Sequence, residues 1–276
     1  MVRVTFIFAL LGLACTSAAV AQLVPDPARV NYAGVSGARL IDAGVMVVTG
    51  GGPAFDRTEA FEYLSTSAGG VVLLNTITMT DGRYRVQARF DLDADWNARS
   101  ADGLGLYEGV PVVAVMRRDG REVRIAVRSL GDGGAKVSLD PTAACDPDCF
   151  INMSPSALAM FVMTRHYDLA RGGPQTFRWT GQDLDRVRTL SGGTATLSFA
   201  GERVVPRATG ETALRHFTFV ESLPLPDGGR FTLNFDLWTD REHRPMGFRV
   251  RTPGAAGGTF GFRQGFEDVR AALQAD

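Results

Sequence analysis

The sequence predicts an all-β protein: an antiparallel β-barrel or curled half-barrel carrying one or two short helices. Three observations lead there. From about Arg39 onward apolar residues recur every second position, the period of a strand with one buried face. Asp-Gly pairs sit between such runs, where the glycine supplies the positive φ of a tight hairpin. Helix signals are confined to two short stretches.

The chain opens MVRVTFIFALLGLACTSAAVAQ. Arg3 gives a short positive start, Val4 to Ala14 an apolar core too short to span a membrane, and Ala19-Val20-Ala21 a small-residue cleavage signal. Residues 1–21 therefore read as a signal peptide and 22–276 as a single β-rich domain, exported to a periplasmic or secreted location. An alternative makes Leu13-Ala14-Cys15 a lipoprotein box, with Cys15 lipid-anchored. No later apolar run is long enough for a transmembrane helix.

RYRVQARFDLD, residues 83 to 93, places Tyr84, Val86, Ala88, Phe90 and Leu92 on one face and Arg83, Arg85, Gln87, Arg89, Asp91 and Asp93 on the other. FTLNFDLWTD at 231 to 240 does the same with Phe231, Leu233, Phe235 and Leu237, and GFRVR at 247 to 251 with Phe248 and Val250. Asp81-Gly82, Asp119-Gly120 and Asp227-Gly228-Gly229 mark the turns, so the chain reads as a meander of hairpins. GGGP at 50 to 53, RGGP at 171 to 174 and SGG at 191 to 193 add punctuation. Ser154-Pro155 reads as an N-cap and first helical residue, with Ala157 to Met163 forming about two turns. The tail GFEDVRAALQAD is the second helix.

With 29 basic against 30 acidic residues, or 28 against 30 once Arg3 is removed, the charge gives no reason to bind nucleic acid. Cys145 and Cys149 remain after the signal is cleaved, and in an oxidising compartment they are expected to form a disulfide. The histidines His166, His216 and His243 are scattered, so no metal site is expected, and neither is a cofactor. No G-x-S-x-G, H-E-x-x-H or P-loop occurs. Lys136, the only lysine, sits in GDGGAKVS and reads as an exposed tip. His166 and Asp168 are the weak case for a hydrolase. Asp91, Asp93 and Asp95 mimic the opening of a calcium loop, but Trp96 stands where that loop needs glycine. Asn152-Met153-Ser154 fits the glycosylation pattern only by coincidence. The arginines of the polar faces, Arg83, Arg85, Arg89, Arg124, Arg128, Arg249 and Arg251, read as a solvated surface, with anionic head groups as the alternative.

YRVQARFDLDADWNARS, residues 84 to 100, resembles the strand of a bacterial glycolipid-binding family, in which alternation runs into Asp, then Trp, then Arg three residues on: here Asp93 or Asp95, Trp96 and Arg99. DPDCFINMSPSALAM is similar to that family's acidic residue, alternating residues and Thr/Ser-Pro, here Asp148, Ser154 and Pro155. FDLWTDREHRPMGFRV at 235 to 250 resembles a hairpin of the wider periplasmic lipoprotein-carrier class. The resemblance covers about a third of the chain and implies a barrel or half-barrel enclosing an apolar cavity for acyl chains. Leu158, Val162 and Met163 depart from it, standing where the family has Asn and paired arginines.

The residues themselves allow such a ligand. Phe150, Ile151, Met153, Leu158, Met160, Phe161 and Met163 form a soft, Met-rich plug or gate behind the cysteines, and with Trp96 and Arg99 they are the candidate ligand contacts. The leading expectation is an exported, non-catalytic barrel binding a lipid, glycolipid or other hydrophobic molecule. The alternatives are a filled-core structural or interaction module of the cell envelope, contacting a membrane surface or an envelope protein, and a hydrolase.

Overall fold

The computed structural model describes residues 35, 37–52, 56–107, 109–129, 136–145, 149–154, 156–183, 188–208, 210–224, 229–251 and 258–274. The expected signal peptide, Cys15, Asp148, Pro155 and the Asp227-Gly228 pair lie outside the described residues.

Alternation produces strands where it was expected. In Tyr84–Leu92 the residues Tyr84, Val86, Ala88, Phe90 and Leu92 are buried and the intervening ones are not. In chain order, the first set is β1 (Arg39–Thr49), β2 (Arg57–Ser65), β3 (Val71–Met79), β4 (Tyr84–Leu92), β5 (Ala98–Tyr107), β6 (Val110–Asp119), β7 (Glu122–Ser129) and β8 (Lys136–Ala144). The second set is β9 (Cys149–Ser154), α1 (Leu158–Thr164), β10 (Gln175–Asp183), β11 (Arg188–Arg207), β12 (Gly210–Pro224), β13 (Arg230–Thr239), β14 (Pro245–Arg251), β15 (Phe260–Arg263) and α2 (Glu267–Gln274).

All of these strands belong to one sheet, ordered β8-β7-β6-β5-β4-β3-β2-β1-β15-β14-β13-β12-β11-β10-β9. Two meanders are thus joined where β1 pairs with β15, and the two outer strands, β8 and β9, are consecutive in the chain. The sheet curls until its ends approach, with β8 and β7 lying near β11 and β9 facing β5. The disulfide Cys145–Cys149, with Cα atoms 4.8 Å apart, staples the short passage from one end of the sheet to the other.

Gly82 and Gly120 adopt φ of 74° and 58°, as Asp-Gly hairpins require. Several expectations need correction. β9 pairs parallel with β10 because α1 forms a crossover between them, so the sheet is not a pure meander. The SGG stretch is no turn: Gly193 lies inside β11 opposite Trp179, whose ring occupies the space a Cβ would need. Lys136 opens β8 opposite Ser129, not the tip of a loop. Finally α1 starts at Leu158 with Ala157 as N-cap, beyond Ser154-Pro155, since Ser154 still belongs to β9.

The inner face carries the main core, including Leu73, Phe90, Phe217, Phe219, Leu237 and Phe248. Helix α1 is buried along its whole length inside it. A helix apolar on all sides is stable only when enclosed, and each of its large side chains contributes about 1.5–3 kcal/mol by leaving water. Trp238 follows the inward Leu237 and so points out. With Leu214, Phe260 and Phe262 it forms a second, outer core closed by Val269 and Leu273 of α2.

Candidate functional site

The chemistry of this molecule gathers at the two ends of α1, where an apolar helix inside a barrel must satisfy its backbone. At the N-terminal end, Glu59 on β2 is fully buried and its Oε2 accepts a hydrogen bond from the Ala157 backbone N–H at 3.1 Å. Its Oε1 accepts from Arg57 Nε at 2.8 Å. Asn75 Nδ2 on β3 donates to Ser156 Oγ at 2.6 Å, and the same oxygen accepts from the Leu158 N–H at 3.1 Å. The helix has no cap from its own N-cap side chain. The barrel wall and Ser156 supply it.

At the other end Thr164 Oγ1 donates to the Phe161 carbonyl at 2.7 Å. Having given up its proton, that hydroxyl receives one from His243 Nδ1, 3.1 Å away. His243 Nε2 then accepts from Arg215 Nη1 at 3.2 Å, which fixes a neutral Nδ1–H tautomer. Burial, with Arg165 and Arg215 alongside, pushes the His243 pKa down to about 4.

The next two residues meet Trp96. The Arg165 guanidinium carbon sits over the indole, 3.8 Å from its centroid, and His166 Nε2 lies 3.4 Å from the Trp96 carbonyl oxygen. Trp96 in turn packs on Tyr63, ring to ring at 5.4 Å. Trp96 and His243 have φ of 66° and 61°, and among the described residues no other non-glycine residue has a positive φ. Such conformations cost about 1–3 kcal/mol each and persist only where surrounding contacts impose them. Both residues clamp the same three-residue segment, Thr164 to His166. The β4–β5 turn holds Trp96 through Asp93, whose Oδ1 accepts from the N–H groups of Asp95 and Asn97. Asp240 does the equivalent for His243 by accepting from the Arg244 N–H at 2.8 Å.

Around this mouth most charges are paired. Asp42 is bidentate to Arg263 at 2.7 and 3.0 Å, Asp240 lies 3.7 Å from Arg244 Nη1, and Glu202 binds Arg241 and Arg215. Arg165 keeps no hydrogen bond or ion pair for its guanidinium among the described residues. Burial lowers its pKa and raises that of the Tyr63 hydroxyl.

The expected ligand contacts divide in two. Phe150, Ile151, Met153, Leu158, Met160, Phe161 and Met163 come together, all buried, as the plug itself. Beside them Leu73, Phe90, Leu92, Ala98, Phe150, Ile151, Ala159 and Val162 line a crevice of about 10 Å³, room for roughly one water. Trp96 is at the mouth, whereas Arg99 points away into an ion pair with Asp93 and is 59 % exposed. His166 and Asp168 form no dyad: Asp168 Oδ1 accepts from the N–H groups of Ala170 and Arg171 and shapes a turn, and His166 lies edge-on to Phe150. Asp91 is held by Arg89 and Ser100 and Asp93 caps its turn, and among the described residues no group of three His, Cys, Asp or Glu can hold a metal. Of the outward arginines, Arg83, Arg89, Arg124, Arg249 and Arg251 are tied to carboxylates, the last two to the buried Asp236.

Sequence reasoning missed Glu59, Arg57, Asn75, Tyr63, Arg165 and His243. A signal existed for some of them: in RTEAFEYLS, Arg57 and Glu59 share the face of Phe61 and Tyr63, and charge on the apolar parity of a strand marks a wall-to-interior contact.

No protein-family model matches the chain, and no curated protein matches it. Among solved structures it is similar to the crystal structure of a β-barrel-like protein of the domain of unknown function DUF1849 from Brucella abortus, at 10 % identity and a TM-score of 0.47, over 80 % of this chain and 94 % of that one. The resemblance to a glycolipid-binding family finds no support in these matches. The barrel-like fold rests on the curled sheet itself.

Proposed function

We propose that the protein is an exported, non-catalytic module of the cell envelope that works through its surface, its barrel interior being a solid core. The observation behind this reading is α1: it occupies the inside of the barrel and is hydrogen-bonded to the wall at both ends, by Glu59 and Asn75 at one and by His243 at the other. Drug-sized and cofactor ligands need on the order of 300–1,000 Å³, far beyond the crevice of about 10 Å³ beside Phe150. An acyl chain would enter only by expelling the plug and stranding these polar groups. Export is supported by the signal-like opening of the sequence.

Native mass spectrometry of the protein isolated from its own envelope fraction, followed by organic extraction, tests the reading. The expected result is the mass of the mature chain with one disulfide and no lipid. A stoichiometric lipid would replace this reading with that of a carrier whose plug opens, and Met160→Asp would then be expected to abolish loading.

A further inference from the structure

The plug's C-terminal end holds a guanidinium whose N–H groups find no acceptor among the described residues. A guanidinium stacked on an indole is held by its face, while its N–H donors project from its edge, in the plane. In Arg165 that edge has no acceptor among the described residues. Carboxylates lie near enough to act on it, Asp240 before Asp42. Each is already engaged, Asp42 by both terminal nitrogens of Arg263 and Asp240 by the backbone and side chain of Arg244. Among the described residues the guanidiniums of Arg165, Arg215, Arg241, Arg244 and Arg263 gather here with the carboxylates of Asp42, Asp240, Glu202 and Glu242, which are engaged by the arginines other than Arg165. Tyr63, 3 % exposed and packed against the same indole, has no hydrogen-bond partner for its hydroxyl among the described residues. Two polar groups without partners thus flank one ring, and that ring is held over them by a strained backbone.

We propose that Arg165 and Tyr63, organised by Trp96, form a binding site for an oxyanion, a carboxylate or phosphate group. The anion lies in the plane of the guanidinium and takes a two-pronged hydrogen bond from its edge, the arrangement in which Arg exceeds Lys. The Tyr63 hydroxyl donates from the side. Trp96 fixes the plane of the fork, so little side-chain freedom is lost on binding. The strain at Trp96 and His243 sets this geometry in advance. The site lies at the edge of the packed interior, where Tyr63 belongs to the main core and Trp96 packs against it, and its presence does not depend on whether the barrel carries lipid.

The test titrates the full mature chain at pH 7 and constant ionic strength with inorganic phosphate and, separately, acetate, following the Arg165 Nε–H resonance and tryptophan fluorescence. Saturable binding on the order of millimolar is expected for at least one anion, weakened about tenfold or more in Arg165→Gln. Tyr63→Phe should weaken it several-fold, and Arg99→Gln should leave it unchanged. If Arg165→Gln does not fold, Arg165→Lys carries the comparison, since it keeps the charge but loses the fork, and the same weakening is expected. Phosphatidylcholine vesicles with and without phosphatidylglycerol separate the sources: Arg165-dependent co-sedimentation with the anionic vesicles assigns the group to a lipid head group, and binding of the free anions alone assigns it to a solute. The proposal is overturned if neither the anions nor the anionic vesicles bind saturably, or if binding survives unchanged in Arg165→Gln and Arg165→Lys.

Discussion

Glu59 on β2 and Ala157 at the start of α1 are joined across the barrel interior by a 3.1 Å hydrogen bond from the Ala157 N–H to a carboxylate with no exposure to solvent. The other oxygen of the same carboxylate holds Arg57. Glu59 therefore serves two groups that have left water, and removing it strands both. Glu59→Ala is expected to lower unfolding free energy by about 3–5 kcal/mol, the usual cost of breaking a buried ion pair from one side. Glu59→Gln keeps an acceptor for Ala157 and is expected to cost less. Urea midpoints measure both, and hydrogen exchange at the amides of α1 should quicken first in Glu59→Ala. Unchanged exchange there would show that packing alone retains the plug.

Two groups drawn out of water, His243 in part and Glu221 almost wholly, give opposite pH responses. His243 has its pKa lowered to about 4, so the folded state resists a proton that the unfolded chain accepts near 6.5. Its stabilisation is complete above about pH 6.5 and is lost as pH falls to about 4. Glu221, on the inward face of β12 beside Leu233, is raised to about 7 by burial. It stabilises the fold fully below the ordinary carboxyl value of 4.5 and loses that contribution as pH rises towards 7, about 3 kcal/mol in all. Between about pH 4.5 and 6.5 the two partly cancel. Glu221→Gln should therefore stabilise the protein at pH 8 and have little effect at pH 4.5. His243→Gln should blunt the loss of stability between pH 6.5 and 4. Thermal melts across this range would decide the matter, and an unchanged melting temperature for Glu221→Gln at pH 8 would show that Glu221 is ionised without strain.

The barrel-like fold was legible because it depends on parity. A strand such as β4 states its buried face in its own residues, and Asp-Gly states its turns. The plug was legible as a Met-rich apolar segment but not as an interior helix, since an apolar run of seven residues reads alike as gate, core or cap. The mouth was hidden for another reason. Arg165, Tyr63 and His243 come from the end of α1, β2 and the β13–β14 turn, and nothing local in TRHYD or DREHRP signals that they meet. The left-handed backbone of Trp96 was equally invisible, because position-specific strain is imposed by tertiary contacts and opposes the residue's own preference.

Two glycines on the inner face separate rigid from yielding parts of the core. A Cβ at Gly193 would lie 2.5 Å from Trp179 Cε2 and 2.7 Å from its Nε1, both in a rigid ring that is itself buried. A Cβ at Gly103 would lie 2.3 Å from Met153 Sδ, but a thioether at the end of three rotatable bonds can swing aside. Overlap by distance alone would make Gly103→Ala the worse substitution. Mobility reverses the order: Gly193→Ala is expected to cost about 2–3 kcal/mol and Gly103→Ala about 1 kcal/mol or less. Met153→Ala in the Gly103→Ala background would then recover nothing, since the clash has already been relieved and a cavity is added. Chemical denaturation of the three variants measures this order. A larger loss for Gly103→Ala, recovered by Met153→Ala, would show that β9 is fixed against β5 as firmly as Trp179 is fixed over β11.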